Sequence, residues 1–115
     1  MPLLTLRTNV PIAEADQIAL MAELSHQMAS ALGKPESYVM VTLEAGRAMM
    51  FGGSESPTVL LQLKSLGLGT DQTNGLSELL SALVETNLGI PADRTYIEFS
   101  SPERAFWGWN GKTFA

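Results

Sequence analysis

Two stretches of the chain carry hydrophobic residues at the three- and four-residue spacing of an α-helix. The first predicts a helix over residues 13–32 that ends at Gly33, and the second predicts a helix that begins at Thr70 or Asp71 and ends at Gly89. The apolar stripes consist of Ile18, Met21, Leu24, Met28 and Leu32 in the first helix, and of Leu76, Leu79, Leu80, Leu83, Val84 and Leu88 in the second. Each predicted helix therefore has one face that can pack against a core.

Short segments rich in β-branched and other apolar residues lie outside the helices and predict strands. These strands cover residues 3–8, 38–43, 59–66 and 95–99, with an extra short strand over residues 48–51. The sequence Leu-Leu-Thr-Leu-Arg-Thr of the first strand returns as Leu-Leu-Gln-Leu-Lys-Ser at 60–65, and a Leu-Gly-x-Pro turn follows each helix. The chain is thus a single domain, 1–115, built from internal repeats of about 2–57 and 58–115.

Two strand-helix-strand units predict an α/β (α+β) fold with one four-stranded mixed sheet and both helices on one face. The other face of the sheet would still present apolar residues, because Val39, Met40 and Val41 follow one another in a strand. Only 17% of the residues are charged, against roughly 25% in a typical soluble domain. These observations favour burial of that face against other copies, although a monomer with a polar Ser/Thr/Gly-rich surface fits the composition equally well.

Composition removes several classes of function. The chain has 12 acidic and 7 basic residues and a formal net charge of −5, which argues against a nucleic-acid partner because no basic cluster is available. With no cysteine and a single histidine, His26, we expect neither a disulfide framework nor a metal site. The amino end lacks a basic leader before an apolar core, and no apolar run reaches about 18 residues. We therefore expect a cytoplasmic protein without a membrane span.

Scattered residues over the whole chain carry a resemblance to a known family. They are Met1 and Pro2; Thr8, Asn9, Val10 and Pro11; Gly33, Lys34 and Pro35; Phe51, Gly52, Gly53 and Ser54; Asp93, Arg94, Tyr96 and Ile97; and Gly108, Trp109, Asn110, Thr113, Phe114 and Ala115. In these positions the chain resembles the macrophage migration inhibitory factor (MIF) family of the tautomerase superfamily. The resemblance implies a homotrimer of β-α-β-β-α-β subunits with sites between neighbours. It also implies cofactor-independent keto-enol tautomerisation of phenylpyruvate-like aromatic 2-oxo acids.

Pro2 is the residue to which the resemblance gives the catalytic role. An amide nitrogen is not a base, so Met1 must first be removed to expose a secondary amine. An α-amine has a reference pKa of about 7.7 to 8.0, and apolar surroundings or the nearby cation of Lys34 would lower it. A neutral amine at working pH is a competent general base. Considered without the resemblance, Pro2 is only a proline at the start of a strand.

The resemblance also implies a substrate site. Lys34 would bind the substrate carboxylate, Leu66 would offer its backbone amide and a side chain in the pocket wall, and Tyr96 would come from an adjacent subunit. Considered alone, Lys34 is a basic residue at a helix end, where the helix dipole favours it. Metal ions and organic cofactors have no part in this scheme.

Aromatic residues near the carboxyl end would complete the pocket. Trp109 and Phe114 match the family, whereas Trp107 replaces a smaller aliphatic residue and should narrow or reshape the pocket mouth. Glu98 stands where well-known relatives have asparagine, and a carboxylate there would repel an anionic substrate unless it points away. Without the resemblance, the aromatics would simply pack the tail onto the core.

A second class of function follows from the same resemblance. The alternative is a MIF-like signalling protein that binds a receptor and keeps only vestigial tautomerase activity. No residue of the sequence supports a receptor as partner. Receptor binding that survives replacement of Pro2 would favour this alternative. The thiol-disulfide activity credited to animal relatives is excluded, since residues 58–61 read Thr-Val-Leu-Leu and contain no thiol.

Overall fold

The computed structural model describes residues 1–115 and contains two long helices, a four-stranded sheet and a small hairpin. The four strands of the sheet are β1 (Leu3–Thr8), β2 (Met40–Glu44), β3 (Val59–Lys64) and β4 (Thr95–Ser100), and the helices are α1 (Glu14–Leu32) and α2 (Thr70–Leu88). Single 3₁₀ turns span Glu36–Tyr38, Ala92–Arg94 and Arg104–Phe106. The hairpin near the carboxyl end pairs β5 (Gly108–Trp109) with β6 (Lys112–Thr113).

The sheet has the strand order β2-β1-β3-β4 and joins two parallel pairs at its centre. β1 runs parallel to β2, β3 runs parallel to β4, and β1 and β3 are antiparallel neighbours. Leu3 therefore pairs with Met40 on one side and with Lys64 on the other. The predicted mixed sheet of two β-α-β units is confirmed. Neither helix has a stretch long and apolar enough to cross a membrane.

The core lies between one face of the sheet and the two helices. Side chains alternate between the two faces of a strand, so every second residue of β1 and β3 is buried while its neighbours are more exposed. The buried cluster consists of Leu4, Leu6, Val59, Leu61 and Leu63 from the sheet, Leu20, Leu24 and Met28 from α1, Leu76, Leu80, Leu83 and Val84 from α2, and Ile90 after it. Both apolar helix stripes thus face the same side of the sheet.

Glycine ends both helices, as the sequence predicts. Gly33 and Gly89 adopt left-handed backbone conformations, with φ of 63° and 68°, which residues with a side chain rarely take. The turn after α1 lets the Lys34 N–H donate to the Ala29 carbonyl at 3.0 Å. Lys34 is thereby fixed at the end of the sheet where β1 begins and α1 ends.

Four predicted strand boundaries and the extra strand need correction. Tyr38 belongs to a 3₁₀ turn that follows Pro35, so β2 begins only at Met40, and it ends at Glu44 rather than at residue 43. β3 ends at Lys64, which leaves Leu66 in the following turn, and β4 extends to Ser100. The strand predicted over residues 48–51 is wrong: the only pairing there is an isolated bridge between Phe51 and Ser54, because no strand of this chain lies alongside it.

Arg94 holds the loop that contains this bridge. Its guanidinium lies 5.0 Å from the centre of the Phe51 ring. It donates hydrogen bonds of 2.7 to 3.3 Å to the carbonyl oxygens of Phe51, Ser54, Ser56 and Pro57. One arginine therefore satisfies four carbonyl groups of a loop that has no strand partners, which explains how residues 51–57 hold one conformation.

Candidate active site

A cleft of about 330 Å³ opens at the amino end of β1. Its walls come from the chain start, the segment leading into β2 and the carboxyl-terminal tail: Met1, Pro2, Leu3, Ser37, Tyr38, Val39, Met40, Trp107, Gly108 and Trp109. Pro2 is buried at this position, and its carbonyl accepts a hydrogen bond of 3.0 Å from the Met40 N–H. The ladder between β1 and β2 therefore fixes the backbone of Pro2 beside the cleft.

The α-amine of the chain lies in surroundings that disfavour its charged form. Burial lowers the pKa of the Met1 α-amine, and the positive charges of Lys34 and Arg104 lower it further. An amine with a lowered pKa is neutral, and hence basic, over more of the neutral pH range. Pro2 is the next residue, so removal of Met1 would leave its nitrogen close to the same groups.

Lys34 reaches this region from the end of α1. Its residue is half-buried, and its ammonium group pairs with no carboxylate within 4.0 Å. The only residue before it in the turn is Gly33, whose left-handed conformation directs the chain away from the helix axis. The positive charge of Lys34 lowers the pKa of the Met1 α-amine, although Lys34 is not among the residues that line the cleft.

Leu66 provides a backbone donor that has no partner within the chain. β3 ends at Lys64, the partner of Leu3, and Leu66 lies two residues further on, in the turn. Ser65 donates its N–H to the Ser100 carbonyl at 3.1 Å. No carbonyl of the chain accepts the Leu66 N–H. The Leu66 side chain itself is buried.

Aromatic rings form the wall between the turn before β2 and the carboxyl-terminal tail. The ring centres of Tyr38 and Trp109 are 5.3 Å apart in an edge-to-face arrangement, and Trp109 stacks on Phe114 at 6.3 Å. The Phe114 N–H donates to the carbonyl oxygens of Trp107 and Arg104 at 3.1 and 3.2 Å. Trp107 and Trp109 line the cleft, and Phe114 supports Trp109 from behind.

Tyr96 and Glu98 lie far from the cleft of their own chain. Tyr96 pairs with Leu60, which in turn pairs with Arg7; Arg7 is five residues from Pro2, or about 16 Å along a strand. The Tyr96 ring packs on Phe51 at 4.5 Å. The Glu98 carboxylate accepts a hydrogen bond of 2.7 Å from the side chain of Gln62. Neither Tyr96 nor Glu98 lines the cleft beside Pro2.

The structure adds three residues that the sequence did not single out for the site. Tyr38 and Met40 line the cleft because the turn after α1 carries them over the chain start, and Met40 is 61% exposed. Arg104 acts on the α-amine through its charge. The sequence offers a signal for Tyr38, which lies three residues after Pro35 of the Gly-Lys-Pro turn, but Arg104 lies in a segment without periodicity.

Comparisons with known proteins agree with this geometry. The sequence model of the family described as macrophage migration inhibitory factor (MIF) matches residues 1–115. A macrophage migration inhibitory factor homolog of Brugia malayi is 43% identical over 115 residues, covering 99% of each chain. The crystal structure of a homologue from Prochlorococcus marinus is 44% identical, covers 98% of this chain and 99% of its own, and superposes with a TM-score of 0.92. The chain therefore belongs to the macrophage migration inhibitory factor family, whose members share the tautomerase fold.

Proposed function

We propose that the protein is a keto-enol tautomerase of phenylpyruvate-like aromatic 2-oxo acids, with Pro2 as general base after removal of Met1. The observation that carries the proposal concerns the amino terminus. The Met1 α-amine lies beside an aromatic cleft, and burial together with two cations lowers its pKa. Carboxylate-binding cations, a neutral amine and an apolar wall are what an anionic substrate with an aromatic ring requires. The reaction moves one proton and needs no cofactor.

The proton transfer can be written with the groups of the cleft. The Pro2 nitrogen takes the proton of the enol hydroxyl, the carbonyl forms at C2, and the resulting ammonium returns a proton to C3. Lys34 and the free N–H of Leu66 would bind the carboxylate and the 2-oxygen, where negative charge builds up. Trp109, held by Tyr38 and Phe114, would cover the aromatic ring.

A homotrimer would complete the site with residues that the single chain leaves apart. Tyr96 is 64% exposed and lies on the face of the sheet that no helix covers, as do the half-buried Leu3 and Leu60. Packing of this face against neighbours would bury it and bring Tyr96 and Glu98 of one subunit toward the cleft of another. The low charged fraction of 17% is consistent with such burial.

Glu98 bears on which substrates the completed site would accept. Its carboxylate is oriented by Gln62, which donates from the neighbouring strand. A carboxylate near the substrate carboxylate costs binding energy by like-charge repulsion, so a site that includes Glu98 needs cations to offset it. We infer that Lys34 supplies part of this compensation, and that the substrate ring, rather than its carboxylate, lies toward Glu98.

Replacement of the proline tests the proposal. Material with a verified Pro2 amino terminus should convert the enol of phenylpyruvate to the keto form, followed by ultraviolet absorbance. Pro2→Gly should lose at least about 99% of kcat/KM, because the remaining primary amine lacks the fixed position and basicity of the ring nitrogen. Pro11→Gly, an exposed proline of the loop after β1, is the matched control and should keep full activity. Unchanged activity in a folded Pro2→Gly protein would overturn the assignment.

A further inference from the structure

Two side-chain cations act on the amino terminus although the chain as a whole has a net charge of −5: Lys34 and Arg104 both lower the pKa of the Met1 α-amine. Arg104 belongs to the tail whose Trp107 and Trp109 line the cleft beside Met1 and Pro2. Neither Lys34 nor Arg104 has a carboxylate within 4.0 Å; the carboxylate contacts of the chain join Arg7 and Arg47 to Glu44, and His26 to Glu36. Cations without carboxylate partners are available to attract an anion.

Arg104 differs from the other arginines in how its guanidinium is used. Arg7 and Arg47 face the carboxylate of Glu44, and Arg94 spends all three of its nitrogens on carbonyl oxygens. Arg104 donates only from Nε, to the Phe114 carbonyl at 2.8 Å. Its two Nη groups make no hydrogen bond within the chain, and the residue is exposed. The Nη pair is the part of a guanidinium that binds a carboxylate through two parallel hydrogen bonds.

The hydrogen bond to Phe114 fixes the direction of the guanidinium. Arg104 and Phe114 are joined twice, since the Phe114 N–H also donates to the Arg104 carbonyl at 3.2 Å. Trp107 and Trp109 of the same tail line the cleft. The tail therefore carries the aromatic wall and one cation as a single unit, whereas Lys34 belongs to the turn at the end of α1.

We propose that Arg104 is a second carboxylate-binding residue of the site, acting with Lys34 to select anionic 2-oxo acids over uncharged carbonyl compounds. The inference rests on the proposed function and adds to it a substrate-binding residue from the tail. Arginine suits this role because it stays charged and its planar fork matches a carboxylate. The pair of cations would also offset the carboxylate of Glu98, the residue whose charge otherwise opposes an anionic substrate.

Two substitutions separate binding of the carboxylate from support of the tail. Glutamine has its terminal nitrogen where arginine has Nε, so Arg104→Gln keeps the hydrogen bond to Phe114 and removes the charge. Lysine has a carbon at that position and its ammonium group further out, so Arg104→Lys loses the hydrogen bond and keeps the charge. The two roles therefore predict opposite orders of activity.

The experiment compares phenylpyruvate with its uncharged methyl ester. At a pH above the acidic limb of the profile, where the amine is neutral in every variant, we expect Arg104→Gln to lower kcat/KM on phenylpyruvate about tenfold, the size of one charge-assisted hydrogen bond, with less than a twofold change on the ester. Arg104→Lys should keep the preference for the acid within about threefold. The proposal would be overturned if Arg104→Lys lost activity on both substrates while Arg104→Gln kept full activity on both. Arg104 would then only support the tail.

Failure of the proposed function is recognised separately. If the protein with an exposed Pro2 converts neither compound, the tautomerase assignment is wrong. The role of Arg104 is then tested by calorimetry. The affinity for phenylpyruvate is measured for the double variant Pro2→Gly, Arg104→Gln and for Pro2→Gly alone. About tenfold weaker binding supports the second carboxylate-binding residue, whereas equal binding, or no binding to either protein, rejects it.

Discussion

The rings of Tyr38 and Trp109 pack edge to face, with ring centres 5.3 Å apart and an interplanar angle of 83°. This contact joins the 3₁₀ turn before β2 to the hairpin near the carboxyl end, two segments separated by most of the sequence. Pro2 lies in the cleft that the two segments enclose. The aromatic pair therefore determines the width of the proposed substrate site.

Removing the indole of Trp109 should weaken binding of the aromatic ring of the substrate. An aromatic pair contributes about 0.5–1.5 kcal/mol beyond its area, so we expect Trp109→Ala to raise the KM for phenylpyruvate by about tenfold or more. Tyr38→Phe keeps the ring and should change KM less than twofold. Steady-state kinetics provide the measurement, and a Trp109→Ala protein with an unaltered KM would place the ring of the substrate elsewhere.

The pH dependence of activity should follow the α-amine. Burial, then Lys34 and Arg104, lower the pKa of the Met1 α-amine, and we expect the same causes to act on the Pro2 amine once Met1 is removed. Only the neutral amine accepts a proton, so kcat/KM should fall as the pH drops through its pKa. Lys34→Gln removes a cation that disfavours the ammonium form. The acidic limb of the profile should therefore move to higher pH, in addition to a lower maximum.

Lys112→Gln is the control for this shift, because Lys112 in β6 does not act on the α-amine. Its pH profile should coincide with that of the unmodified protein. An acidic limb that stays in place in Lys34→Gln, or that moves equally in both variants, would mean that the limb reports another group.

A site shared between subunits can be tested by mixing two inactive proteins. Pro2→Gly removes the base and Tyr96→Ala removes the residue that we assign to the neighbouring subunit, so each variant alone should have little activity. Refolding the two together should restore activity, because mixed trimers contain some sites with both native residues. The recovered activity should approach about a quarter of that of the unmodified protein for an equal random mixture. No recovery in mixed trimers of verified mass would contradict the shared site.

Two adjacent leucines on β3 should differ sharply in their effect on stability. Leu61 is fully buried in the core, whereas Leu60 is half-buried on the opposite face. Leu61→Ala should lower the free energy of unfolding by about 2–5 kcal/mol through the cavity that it leaves, and Leu60→Ala should cost less than about 1.5 kcal/mol in the isolated subunit. Chemical denaturation under monomeric conditions measures both. Equal losses would mean that the two faces are equally covered.

The repeated pattern of the sequence predicts most of the fold because each element has a local cause. Helix periodicity and the terminal glycines place α1 and α2 within one residue of their observed limits, and β1 is predicted without error. The errors fall where pairing decides the outcome. Residues 48–51 are extended and apolar enough to form a strand, but a strand exists only beside a partner, and this chain provides none.

The candidate site could be predicted only in the parts that resemble the family. Pro2, Trp107 and Trp109 line one cleft because the tail returns over the start of β1, and Lys34 bears on this region through the charge that lowers the pKa of the Met1 α-amine. Arg104 could not be found in this way, because its position results from two hydrogen bonds with Phe114 and from no local pattern. Tyr96 and Glu98 do not line the cleft of their own chain, and we propose that a second chain brings them to it.

The exposed nitrogen of Pro2 is the central claim, and the most direct test compares one sequence in two chemical forms. Protein with Met1 removed and protein with Met1 retained are separated and verified by mass spectrometry, and both are assayed for enol-to-keto conversion of phenylpyruvate at equal concentration. We predict that the form beginning with Pro2 is active and that the form retaining Met1 has below about 1% of its kcat/KM, since an amide nitrogen cannot accept the proton. Equal activity of the two forms would contradict the account.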